Sequence, residues 1–245
     1  MAFLDDIRHY WDDDAPTYDA SHQHRPTSPM VLAAWAAALE AVLPPAPARI
    51  LDCGAGTGFL SLLAARLGHD VTALDLSPAM LDRLKSNADA AGVTIGTVVG
   101  PATDPPDGEF DAVMERHLLW TLPDPAAALR AWREVGDGRA RLVLVESLWG
   151  DVDPIERCRA RVRRTLDRVR ATPPEHHAEY AADVRSSLPL GRGTHPAHLA
   201  RLAHDAGWRT PRLRRLADVE WAERAALPLA ARIVGVSPRF VIVAD

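Results

Sequence analysis

Three glycines at alternate positions punctuate the stretch Ile50-Leu51-Asp52-Cys53-Gly54-Ala55-Gly56-Thr57-Gly58, where an apolar run gives way to a helical pattern. Glycine suits a backbone that must turn sharply and approach a ligand with no side chain between. A helix starting near Gly58 would offer free amides and the positive end of its dipole to that ligand. Further along, Val71-Thr72-Ala73-Leu74 leads into Asp75, about twenty residues after the glycines. A carboxylate there can accept hydrogen bonds from both ribose hydroxyls of an adenosine. The pair of features implies an adenosine-bearing cofactor. The dinucleotide spacing G-x-G-x-x-G is not met, because Phe59 stands where the third glycine would fall. A diphosphate also has no use for Asp52, whereas a cofactor with an ammonium group would be complemented by an acid nearby.

Proton chemistry near neutral pH points first to histidine. His117 follows the fourth strand, and ligands of parallel sheets sit at the carboxyl ends of the strands, so His117 is the first candidate base and His24 the second. Glu146 at the end of the fifth strand, with Trp120, Trp149, His177 and Tyr180, are candidates for lining a substrate pocket. The His176-His177-x-Glu179 cluster lacks the i, i+4 spacing of a helical ligand pair, so no metal is expected. Cys53 and Cys158 give neither a disulfide framework nor ligand spacing.

The elements that must hold these residues alternate between short apolar runs and amphipathic stretches, the pattern of βαβ units on a parallel sheet. Strands are predicted at 49–53, 70–74, 94–99, 110–114, 141–146, 212–221 and 239–243. Helices are predicted at 29–43, 58–67, 78–91, 126–135 and 196–206. Ser77-Pro78 is a good helix start, with a serine cap and a proline in the first turn. Residues 1–47 read as a helical lead-in, 48–149 as the cofactor-binding core, 150–193 as a helical lid insertion, and 194–245 as the completion of the core sheet.

The 245 residues suffice for one such domain with its lid. A net charge of -5 and a pI near 6.0 argue against bulk binding to nucleic acid or an anionic membrane. Lys85 is the only lysine among 28 basic residues, which suggests the high-GC coding bias of an actinobacterial-type genome. No leader peptide or membrane-length apolar run is read, so a cytoplasmic enzyme, monomer or homodimer, is expected.

With these residues in view, the chain resembles the class I S-adenosylmethionine-dependent methyltransferases, in particular the ubiquinone/menaquinone-type branch. The resemblance rests on Asp52-x-Gly54-x-Gly56-x-Gly58, Asp75-Leu76-Ser77-Pro78-Ala79-Met80, Gly108-Glu109-Phe110-Asp111-Ala112-Val113, and Arg116-His117-Leu118-Leu119-Trp120-Thr121-Leu122-Pro123-Asp124-Pro125. It extends to the lead-in Tyr10-Trp11 and Tyr18-Asp19 and covers roughly residues 8 to 149. It implies a Rossmann-like, doubly wound, seven-stranded and mostly parallel α/β sheet with an antiparallel last strand. It further implies S-adenosylmethionine as cofactor and S-adenosylhomocysteine as product.

By position, the resemblance puts Gly54, Gly56 and Gly58 along the methionine moiety and Asp52 near the loop and ammonium. Asp75 would take the ribose, Leu76 and Met80 the adenine, Arg116 backbone atoms the ammonium, and Tyr18 the carboxylate. Gly100-Pro101-Ala102-Thr103-Asp104 departs from the family's Gly-Asp-Ala, which shifts adenine recognition to the Ala102 amide or to Asp104. The activity implied is methylation of an O or N atom of a small molecule, by analogy a natural-product intermediate. Methylation of tRNA or protein, and cofactor binding with chemistry other than transfer, are the alternatives.

Overall fold

The computed structural model describes residues 2–21, 24–149, 158, 161–162, 182–232 and 235–245. Among them, seven strands form one sheet in the order β3-β2-β1-β4-β5-β7-β6. The strands are β1 (Arg49–Cys53), β2 (Asp70–Asp75), β3 (Gly96–Val99), β4 (Ala112–Arg116), β5 (Arg141–Ser147), β6 (Arg212–Arg215) and β7 (Arg239–Ala244). The pairings among β1 to β5 are parallel, whereas β7 runs antiparallel to both β5 and β6. Reversal of order at β1 and β4 makes a topological switch point, where the carboxyl ends of the strands open a crevice.

Alternation along the strands sends successive side chains to opposite faces. Leu51, Val113, Leu142 and Leu144 pack on one face, with Leu129, Trp132 and Trp208 among the buried residues there. Ile50, Met114, Val143 and Val145 pack on the other, against Val31, Trp35 and Leu60. The covering helices are α1 (Ala2–Asp14), α2 (Pro29–Glu40), α3 (Phe59–Arg66), α4 (Pro78–Ala91), α5 (Pro125–Glu134), α6 (Ala182–Ser187), α7 (Pro196–Asp205), α8 (Ala217–Ala226) and α9 (Leu229–Arg232). Helix α4 starts as its residues dictate: the Ser77 side chain accepts from the Met80 amide, and Gly92 ends the helix in a left-handed conformation.

The seven strands, the mostly parallel pairing and the antiparallel last strand agree with the sequence expectation. The strand expected over 212–221 ends at Arg215, and Trp221 lies on α8, 65% exposed. All four residues of β6 are exposed, so this edge strand offers no buried alternation to separate it from the helix that follows. The fourth strand is shifted from 110–114 to Ala112–Arg116. Most of the expected lid, 150–193, lies outside the described residues. No described helix is long and apolar enough to cross a membrane.

Candidate functional site

A cleft opens over the carboxyl ends of the central strands. Its wall comprises Gly54 and Gly56, Leu74 to Leu76, Met80, residues 100–103, Arg116 to Leu118, residues 121–123, and Leu4, Ile7, Trp11 and Tyr18 from the lead-in. At its centre the Asp75 carboxylate accepts from the Gly56 amide (2.8 Å) and the Ser77 amide (2.9 Å). Burial pushes its pKa up to about 6, against the pull of those two amides.

The three glycines have different duties. All hold φ in the left-handed region, where other residues are strained. A Cβ on Gly54 would meet the Leu118 side chain at 2.6 Å, and one on Gly58 would meet Leu84 at 2.6 Å. Gly58 therefore seats α4 and does not line the cleft, contrary to the expectation that it follows the cofactor. A Cβ on Gly56 would find only Tyr18, at 4.0 Å, which leaves this position open toward the cleft.

Asp52 lies beneath the loop it was expected to support. Its carboxylate is buried, accepts from the Ser61 hydroxyl at 2.5 Å, and is absent from the cleft wall. Burial raises its pKa to about 7, so it anchors the loop from below. Leu76, Met80 and Ala102 do line the cleft, while the Ala102 carbonyl accepts from the Trp132 indole.

Two aspartates to which the sequence reading gave no role fasten the lead-in across this cleft. Asp12 accepts from the Ser77 hydroxyl at 2.6 Å and the Ala79 amide at 3.3 Å. Asp19 accepts from Thr57, Asn87, Arg25 and Arg83. Burial would raise the Asp19 pKa, but these donors hold it below its ordinary value. The adjacent Tyr18 and Ser77-Pro78 motifs were the available signal, since a residue beside a cap can serve it from another element. Tyr18 itself is driven up to about 12 by burial, so its phenol stays protonated. His24 stacks on the Tyr18 ring at 4.0 Å, with Nδ1 bonded to the Tyr18 carbonyl, and does not line the cleft.

At the β4 end, Arg116 lies 4.4 Å over the Phe59 ring and 5.3 Å over Trp35, a cation held by two π faces. Burial lowers its pKa to about 10, which still leaves it charged at neutral pH. His117 follows with φ 57°, and its Nε2 lies 2.6 Å from the Ser147 hydroxyl. Arg239 at the start of β7 donates to that hydroxyl at 2.8 Å and to Glu223 at 3.1 Å. Burial pushes His117 well below its ordinary pKa, and Arg116, Arg239 and His24 add to the effect.

Several expected pocket residues fall elsewhere. Glu146 is fully buried, and neither carboxyl oxygen has a partner among the described residues. Burial first, then the neighbouring Glu115, pushes it well above the ordinary carboxyl range, so it is a neutral core acid and not a wall of the cleft. Glu115 accepts from the Leu118 amide at 2.8 Å and is raised to about 8 by burial. Trp120 and Trp149 pack edge-to-face at 5.2 Å and do not line the cleft; each indole has found the other. His177 and Tyr180 lie outside the described residues.

Comparison with known proteins agrees with this geometry. The model of a family described as "Methyltransferase domain" matches residues 51–144. The ubiquinone biosynthesis O-methyltransferase of Xanthomonas axonopodis pv. citri is 41% identical over 96 residues, which cover 38% of this chain and 40% of that protein. The match thus spans about two fifths of that curated relative's length. Among solved structures, the magnesium protoporphyrin IX methyltransferase of Synechocystis, with bound cofactor, superposes with TM-score 0.59 at 14% identity, covering 100% of this chain and 98% of that one. A mitomycin 7-O-methyltransferase superposes with TM-score 0.54 at 18% identity, covering 87% and 53%. At these identities the structural likeness is one of fold.

Proposed function

Residues 51–144 being a class I S-adenosylmethionine-dependent methyltransferase domain, we propose that the protein transfers a methyl group from S-adenosylmethionine to an oxygen or nitrogen atom of a small molecule, a natural-product intermediate. The observation that carries the reading is Asp75: a half-buried carboxylate lining the cleft, bonded to the Gly56 amide and in one wall with the apolar Leu76 and Met80. These residues fit an adenosine, with Asp75 for the ribose and the two apolar side chains for the base. Gly54, Gly56 and Arg116 would hold the amino-acid end, and Tyr18 would close over it.

The cofactor supplies a methyl group already activated on a sulfonium. What remains for the protein is to align the acceptor and exclude water. The lead-in serves the second task, since Asp12 and Asp19 hold Trp11 and Tyr18 against the cleft. The O-methyltransferase relatives support an oxygen acceptor before nitrogen.

Calorimetric titration with S-adenosylmethionine and with NAD(H), on wild type and Asp75→Ala, tests the reading. Wild type is expected to bind S-adenosylmethionine at micromolar Kd, with a loss of roughly 100-fold in the variant, since an acceptor for two donors is removed. Preference for NAD(H), or equal affinity in the variant, would overturn it. Release of S-adenosylhomocysteine with a panel of phenols then identifies the acceptor.

A further inference from the structure

The polar chain behind His117 is unabsorbed by the cofactor site. It runs from Glu223 on α8 through Arg239 on β7 and Ser147 on β5 to the ring of His117. The chain starts from a cation. Arg239 can only donate, so the Ser147 oxygen accepts from it and keeps its own proton to offer to His117. With Ser147 as the donor, Nε2 of His117 is the unprotonated nitrogen, and the proton sits on Nδ1. No described residue bonds Nδ1, and His117 lines the cleft. Two backbone features hold the ring there: the left-handed φ of His117, and the Glu115 carboxyl that fixes the next amide.

We propose that His117 is a hydrogen-bond donor of the cleft through Nδ1–H, oriented by Ser147 and Arg239, and that it receives an acceptor entering as an oxyanion, a phenolate or carboxylate. This rests on the methyl-transfer reading. The other described cleft groups offer no free base: Tyr18 keeps its proton, Arg116 is a cation, and Asp75 is bonded by two amides. The charged or titratable groups that bear on the His117 ring are Arg116 from β4, Arg239 from β7 and His24 from the lead-in, all cationic when protonated. Glu223 lies beyond Arg239 on α8, and Glu146 precedes Ser147 on β5. Such a field holds the imidazole neutral and favours an anion beside it. The acceptor oxygen then brings its own lone pair: the O–CH3 bond forms, the C–S pair stays on sulfur, and no proton has to be removed.

The tautomer can be read without cofactor or acceptor, by 15N NMR of histidine-labelled full-length protein, with His117→Asn identifying the resonance. The wild type is expected to show a pyrrole-type Nδ1 and a pyridine-type Nε2, unchanged from about pH 5 to pH 8. Ser147→Ala should mix the two tautomers and Ser147→Thr should restore the single one, which a merely structural serine would not do. A wild-type proton on Nε2, or a titration near the ordinary histidine value, overturns the proposal. With S-adenosylhomocysteine bound, 4-nitrophenolate should shift the Nδ1 resonance in wild type and Ser147→Thr; no shift overturns the acceptor assignment. If S-adenosylhomocysteine itself fails to bind while the tautomer stands, it is the methyl-transfer reading that has failed.

Discussion

The two halves of the cleft are built in opposite ways. The half around Gly54, Gly56, Asp75 and Ser77 comes from one continuous stretch of chain, and both Asp75 oxygens there are bonded by neighbouring backbone amides. The half around His117 is assembled from β4, β5, β7 and α8, and it lies beside a buried carboxyl pair with three oxygens lacking any described partner. The first is a satisfied turn; the second is a polarised core. Well-satisfied groups lose stability when altered, whereas a buried acid without partners is a liability that its removal relieves.

The largest expected effect tests the first half. Gly54→Ala adds a Cβ against Leu118 and keeps a positive φ, so it should destabilise the fold by about 2–4 kcal/mol, read by urea denaturation. A change within ±0.5 kcal/mol would mean that Leu118 moves aside freely. Asp19→Ala comes next. It removes the acceptor of four side chains and should cost about 1–3 kcal/mol at pH 7, with faster proteolysis in the lead-in. Because the Asp19 pKa is depressed, its contribution is lost as pH falls through that folded value, and the variant's deficit should shrink in acid.

The smallest effect has the opposite sign. Glu115, at about 8, and Glu146 both have raised folded pKa values. The stability linked to them is complete below the unfolded value, about 4.3, and is lost as pH rises toward about 8. The melting temperature should therefore decline over that window. Glu146→Gln should flatten the decline and gain roughly 1 kcal/mol at pH 8. A loss there instead would erase the contrast between the halves.

The same contrast explains what the sequence reveals. Gly56, Asp75, Ser77, Leu76 and Met80 are legible because a turn, a strand end and a helix cap are decided by residues within a few positions of one another. The central strands were legible because parallel strands announce themselves as apolar runs. That Gly58 faces Leu84 was not legible, because spacing tells that a loop is tight but not which of its atoms face the ligand. Arg239 carries no local sign of its role, since its significance depends on a strand pairing, Ser147 with Arg239, across 92 positions. Glu146 looked like a site acid because burial is not visible from a strand end.

The reversed direction of β7 has a consequence for the order in which the molecule becomes competent. Its first residue lands at the crevice only because the strand runs against its neighbours, so a residue translated long after His117 completes an arrangement begun there. A nascent chain that has exposed residues 49–100 already carries the glycine turn and Asp75. The His117 ring gains its fixed tautomer only after Arg239 emerges. Ligand capture and chemical readiness thereby rest on segments that leave the ribosome at different times.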